Sequence, residues 1–246
     1  MYRSPLIPSV WQIPQYFHDR LGSRVGRQRA MIENGFLLLV LHEVSKRTDR
    51  QRQARLFYRQ PDGIWLSTED GGGIVALEKH LAGFEQLIDE IDKQEDHAKT
   101  ADEYFQLLEQ ILPLRRTTAN LHATLDEARK QLPQARELIN FRDQAYDIHR
   151  SAELLYETIN SGANLASTRR AEEQAKHSRS MAESAHRLNL LVAFFFPLAT
   201  LSGLFGMSLN SGLEQIGGTL PFYGICLTGL LTGFLLLALI RYRPKS

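Results

Sequence analysis

The chain has 246 residues, 43% of them hydrophobic and 23% charged, and a formal net charge of +1. These averages mix a polar body with a very apolar end, so the bulk charge points to no class of partner. The one cysteine, Cys226, excludes a disulfide framework and a cysteine-based zinc site within one chain.

No secretory leader is expected at Met1–Val10, which holds one Arg, two prolines and no apolar run of adequate length. Residues 1–73 read as a small α/β cytosolic region, a single β-meander preceded by a short helix. Phe36–His42 (FLLLVLH) has the length of a strand although its leucines are poor β-formers. Arg55–Arg59 and Ile64–Ser67 flank Gln60-Pro61-Asp62-Gly63, turn chemistry that predicts a hairpin. Gly71-Gly72-Gly73 then breaks the chain.

Residues 74–132 predict cytosolic helices. Leu77, Leu81, Phe84, Leu87, Ile88 and Ile91 keep three-four spacing, and Tyr104, Phe105, Leu108, Ile111 and Leu112 repeat it. Pro113 either sits within the second of these helices or ends it, and Gln131-Leu132-Pro133 marks the next break. Leu138, Phe141, Ala145, Ile148, Ala152, Leu155 and Ile159 form a further apolar stripe, which Asn160-Ser161-Gly162 weakens without ending. With no Pro or Gly at the junction, a stalk helix over 133–187 is predicted to run on into the first apolar span. It would measure about 110 Å from residue 133 to residue 205. Its polar part, Arg169–Arg187, interleaves bases with Glu172, Glu173 and Glu183, so a solvated face or a wet central cavity suits it better than a lipid-surface patch.

Residues 188–246 close the chain with two uncharged, apolar stretches, Leu188–Phe205 and Phe222–Ile240. Each is about long enough to cross a hydrocarbon core of roughly 30 Å. The connecting outer loop, 206–221, carries no Lys or Arg and a single acid, Glu214. Arg169, Arg170, Lys176, Arg179 and Arg187 precede the first span, and Arg241, Arg243 and Lys245 follow the second. Bases on both outer flanks place both termini in the cytoplasm of a multi-pass inner-membrane protein. The expected fold class is a mainly α membrane protein: a small N-terminal α/β cytosolic region, then a long stalk helix continuing into the first of two C-terminal transmembrane helices.

Around the end of the first span stand Phe196-Pro197-Leu198 and Leu201-Ser202-Gly203-Leu204-Phe205-Gly206-Met207-Ser208. This resembles the end of the first membrane helix in the CorA family of divalent-cation channels, the two-helix GxN superfamily. There a Pro-bearing stalk helix ends in Gly-Met-Asn, and a short loop and a second helix with a basic tail follow. The resemblance covers 133–246 well and the first seventy residues weakly, and within the family the short CmaX-type members are the nearest in pattern. It implies a homo-oligomer, a pentamer with the first span innermost, that moves divalent cations such as magnesium or zinc. Cofactors are not implied; the cation is cargo. The further partners expected are membrane lipid and no nucleic acid.

One departure matters: Ser208 stands where the family has Asn, and the next Asn is Asn210. A ring of side-chain amides can hold a hydrated ion through its water shell, and Mg²⁺ sheds water reluctantly. A ring of Ser208 would be wider and less selective, which brings zinc or another divalent ion into play. Gly206, Met207, Ser208, Asn210 and Glu214 are thus the candidate outer mouth. Stepping back at helical spacing gives a pore-facing stripe of Gly203 or Leu204, Thr200, Phe196, Val192 or Ala193, Asn189 and Ala185. Phe196 either lines a constriction that gates by dewetting or faces lipid or the second helix. Two helices have no interior, so a conducting protein of this size must oligomerise. Gly229-xxx-Gly233 and its small neighbours allow close helix contact.

Other signals are weaker. The eight histidines include no HxxxH pair, so a zinc site inside one chain is not expected. Asp89, Glu90, Asp92, Glu95 and Asp96 read as a solvated helix face, with a regulatory cation between subunits as the alternative. No phosphate loop, nucleophile elbow or catalytic carboxylate pair is present, so an enzyme is not expected. The functional expectation is a divalent-cation channel. Its rival is a non-conducting membrane-anchored scaffold or stress-signalling partner with the same fold.

Overall fold

The computed structural model describes residues 3–43, 53–68, 72–206 and 219–242. Two compact units divide it, Met1–Thr168 and Arg169–Ser246. The division between them falls inside the long helix described below.

The first unit opens with a short helix, α1 (Gln15–Arg20), and an antiparallel meander of β1 (Arg29–Glu33), β2 (Phe36–His42), β3 (Ala54–Arg59) and β4 (Trp65–Ser67) in sequence order. The β1–β2 turn is Asn34-Gly35, with φ of 49° and 81°. Two successive positive φ values make the tight hairpin turn that Asn-Gly supplies at least cost. In the second hairpin Gly63 takes φ 90° and its amide donates to the Gln60 carbonyl at 3.0 Å, while Gln60 bonds Ile64 at 2.9 Å.

The run FLLLVLH lacks alternation because both faces of β2 are covered. Leu37, Leu39 and Leu41 enter a core shared with Phe57, Leu77, Leu81 and Phe84. Leu38 and Val40 enter a second core with Ile7, Phe17, Leu56 and Tyr58.

Three helices follow: α2 (Gly73–Glu95), α3 (Ala101–Gln131) and α4 (Glu137–Gly206). A capping box starts α3: Thr100 Oγ1 accepts from the Glu103 amide at 3.3 Å, and Glu103 Oε2 accepts from the Thr100 amide at 2.9 Å. Pro113 sits inside α3 and does not end it. The stalk helix begins at Glu137 and not at Pro133. Leu132 to Ala135 forms a turn, closed by the Ala135 amide on the Leu132 carbonyl at 3.2 Å, and Pro133 lies within it.

Helices α3 and α4 run antiparallel. Arg115 bonds Glu153 at 3.2 Å and stacks over Tyr156, and Tyr104 lies so close to Gly162 that a Cβ there would come within 2.4 Å of its ring. The predicted stripe Leu138, Phe141, Ala145, Ile148, Ala152, Leu155 and Ile159 is wholly buried in this unit's core. Near the start of α4, Glu137 accepts from Arg59 Nε at 2.6 Å and from Trp65 Nε1 at 3.4 Å, tying sheet to helix. Burial pushes the Glu137 carboxyl up, but the Arg59 hydrogen bond and charge and the Trp65 N–H outweigh it and leave the group below its ordinary value.

Candidate functional site

The second unit holds the rest of α4 and α5 (Leu220–Tyr242). Among the described residues α4 is long and apolar enough to cross a membrane, and none of its apolar window is buried within the chain. A core helix of a soluble protein would bury that surface. The described apolar part of α5, Tyr223–Ala238, is shorter.

Two glycines of α5 let it lie against α4. A Cβ on Gly229 would stand 2.9 Å from the Leu198 side chain, and one on Gly233 2.7 Å from the Phe194 carbonyl oxygen. Phe194 also meets Phe234 edge to face at 5.3 Å. The Gly229-xxx-Gly233 pattern therefore serves a contact within one chain.

That contact fixes which side of α4 stays open. Phe194 and Leu198 share the covered side. Asn189, Val192, Phe196, Thr200 and Gly203 each lie about 140° or more around the helix axis from it. All five are exposed, Val192 by 54% and Phe196 by 65%. A Cβ on Gly203 would meet nothing within 4 Å. The predicted stripe is thus brought together on the side that α5 leaves bare.

The chemistry of that stripe is sparse and specific. Thr200 Oγ1 donates to the Phe196 carbonyl one turn back, so its oxygen is left as an acceptor. An acceptor suits the water shell of a cation, whose protons point outward. Pro197 has no N–H, which removes the usual helical donor to the Ala193 carbonyl. Val192 and Phe196 add an apolar band between Asn189 and Thr200. Gly206 is the last residue of α4. Met207, Ser208, Asn210 and Glu214, the rest of the expected mouth, lie outside the described residues, as do Arg243 and Lys245 of the tail.

The first unit offers less. Asp89, Glu90, Asp92 and Asp96 are exposed, and Glu95 is half-buried. Among the described residues no three His, Cys, Asp or Glu side chains are arranged to hold a metal ion. His80 is 1% exposed, wedged between Phe57 and Phe84 with neither nitrogen hydrogen-bonded. Burial, and then the Arg55 charge, pushes its pKa down to about 3, so it stays neutral as a core residue. Sequence spacing gives no sign that His122 of α3 and His149 of α4 meet, with ring centres 6.3 Å apart.

The family model of the CorA-like Mg2+ transporter protein matches residues 31–241, from within β1 to the last turn of α5. The chain belongs to the CorA family. Members of that family are membrane-located channels and transporters, not enzymes. The structure of the full-length CmaX protein shares the fold, with a TM-score of 0.55 at 15% identity over 93% of this chain and 83% of that one. The CorA magnesium transporter from Methanocaldococcus jannaschii has a TM-score of 0.44 at 12% identity, over 90% of this chain and 82% of that one. Among curated protein sequences there is no match. In this CorA-family chain Pro197 and the open stripe lie on the same helix.

Proposed function

We propose that the protein is an oligomeric channel that moves divalent metal cations, magnesium, zinc or a related ion, across the inner membrane. Several copies, five by family resemblance, bring the bare side of α4 to a shared axis, with α5 outside and both termini in the cytoplasm. The observation that carries this reading is the stripe Asn189, Val192, Phe196, Thr200 and Gly203, left uncovered on a helix whose apolar window finds no cover in its own chain.

In that assembly Asn189 and Thr200 form polar rings that meet a hydrated ion through its waters. Val192 and Phe196 form the apolar constriction between them, where the column of water breaks when the bore narrows. Gly206, Met207 and Ser208 form the outer mouth, and a ring of Glu214 raises the local cation concentration. Ser208 presents a short hydroxyl, so the mouth grips a water shell more loosely than an amide ring does. The ion passes down its electrochemical gradient, and no group on the chain changes covalently.

Ser208 also favours a second reading, a membrane-anchored scaffold that keeps the fold without conducting. Purified protein in liposomes separates the two: flux of Mg²⁺, Zn²⁺, Co²⁺ or Ni²⁺ above empty vesicles is expected. Absence of flux for all four contradicts transport. Ser208→Asn changes rate or ion preference in a channel and changes nothing in a scaffold.

A further inference from the structure

His122 and His149 hold their imidazoles nearly parallel across the α3–α4 seam, with 16° between ring planes and 6.3 Å between centres. Tyr146 closes on His122 edge to face at 5.4 Å. The Nδ1 atom of His149 is buried and has no hydrogen-bond partner. Such an orphan has lost its water without gaining a partner, a loss that a ligand on that nitrogen removes.

One helical turn beyond each histidine stands a carboxylate, Asp126 on α3 and Glu153 on α4, and residues four apart share a helix face.

We propose that His122 and His149 form a binding site for a divalent transition cation of the Zn²⁺, Co²⁺, Ni²⁺ and Cu²⁺ class. Imidazole nitrogen suits those ions, whereas Mg²⁺ and Ca²⁺ take oxygen ligands. With metal–nitrogen bonds of about 2.1 Å, two rings on one tetrahedral ion have centres about 5 Å apart. The present separation therefore closes by about 1 Å, within reach of side-chain rotation on two fixed helices.

Water completes the coordination in the first instance, since no third ligand already stands in place among the described residues. Asp126 and Glu153 are held by Lys130 at 2.6 Å and Arg115 at 3.2 Å, and Arg150 lies 3.8 Å from Glu153. These partly exposed pairs are worth little, so either carboxylate can turn to the ion. Asp126 and Glu153 offset two of the three positive charges of Lys130, Arg115 and Arg150 beside the seam.

The test is binding to the full chain in detergent, read by calorimetry with Zn²⁺ and by visible absorption with Co²⁺. A micromolar site is expected, with the intense Co²⁺ bands of tetrahedral nitrogen ligation. His122→Gln and His149→Gln should each weaken it about tenfold or more with far-UV circular dichroism unchanged, and about a hundredfold excess of Mg²⁺ should leave it occupied. Unaltered Zn²⁺ affinity in both variants, or displacement by Mg²⁺, overturns the proposal. Carbethoxylation of the unaltered protein tests it even if a variant does not fold. Zn²⁺ should protect His122 and His149 and leave the exposed His177 and His186 reactive. Equal reaction at all four with and without zinc overturns it. The readout is binding, so neither result depends on transport.

Discussion

The apolar residues of α4 meet two different environments. From Leu138 to Ile159 they repeat at helical spacing on one side, and each is buried in the core of the first unit. From Leu188 to Leu204 they occur all round the helix. Leu188, Leu191, Val192, Phe195, Phe196 and Leu204 are 53% to 65% exposed in their own chain. A stripe with a polar opposite side is satisfied by one neighbouring surface. A helix apolar on every side needs an apolar surrounding that a single chain of this size does not supply. Periodicity alone identifies both stretches as helix; only the width of the apolar face separates a helix completed by its own chain from one whose apolar surface that chain leaves uncovered.

The sharpest way to break that contrast is to remove a leucine from the core that the satisfied stretch enters. Leu121 is fully buried in the same core as the Leu138–Ile159 stripe, and Leu121→Ala should cost about 3–5 kcal/mol in chemical denaturation of the detergent-solubilised protein. A loss under about 1 kcal/mol would mean the core collapses onto the gap or is not closed.

Next in size is Arg59→Met, which leaves Glu137 half-buried without its cation and should cost about 2–3 kcal/mol. Because the folded Glu137 carboxyl lies below its ordinary value, its stabilisation is present above that value and is lost as pH falls through the folded one. Denaturation followed from neutral pH into acid should therefore show a shallower loss of stability in Arg59→Met than in the unaltered chain. An identical slope would remove Glu137 from the account. At the small end, Leu191→Ala removes a side chain that is 56% exposed and should change stability in detergent by less than about 0.5 kcal/mol.

Legibility followed the same division. Strand β2 and the β3–β4 hairpin were readable because a short apolar run and Gln60-Pro61-Asp62-Gly63 each have one good local solution. Strand β1 was missed. Arg29–Glu33 has only three apolar residues, and its real signal was the Asn34-Gly35 turn after it. Thr100-x-x-Glu103 likewise marks the start of α3, where the apolar spacing of Tyr104, Phe105 and Leu108 fixes no first residue. Pro133 marks the break, yet α4 starts four residues later, because proline is compatible both with a helix start and with the turn that Leu132 to Ala135 forms.

At the candidate site, helical spacing gave the stripe without saying which way it faces. That needed the glycine contacts of α5, a tertiary fact. The meeting of His122 and His149 was invisible for a related reason. Their separation in sequence matches no ligand motif, and only the antiparallel register of two helices brings them together.

The central claim is that the bare side of α4, opposite Phe194 and Leu198, faces an ion path. Cysteine substitution on a Cys226→Ala background in cation-loaded vesicles tests it directly, with a membrane-impermeant thiol reagent applied during flux. Thr200→Cys should lose flux on modification, and Leu198→Cys should keep it. Block at position 198 with none at 200, or equal insensitivity of both in a conducting protein, would contradict the account.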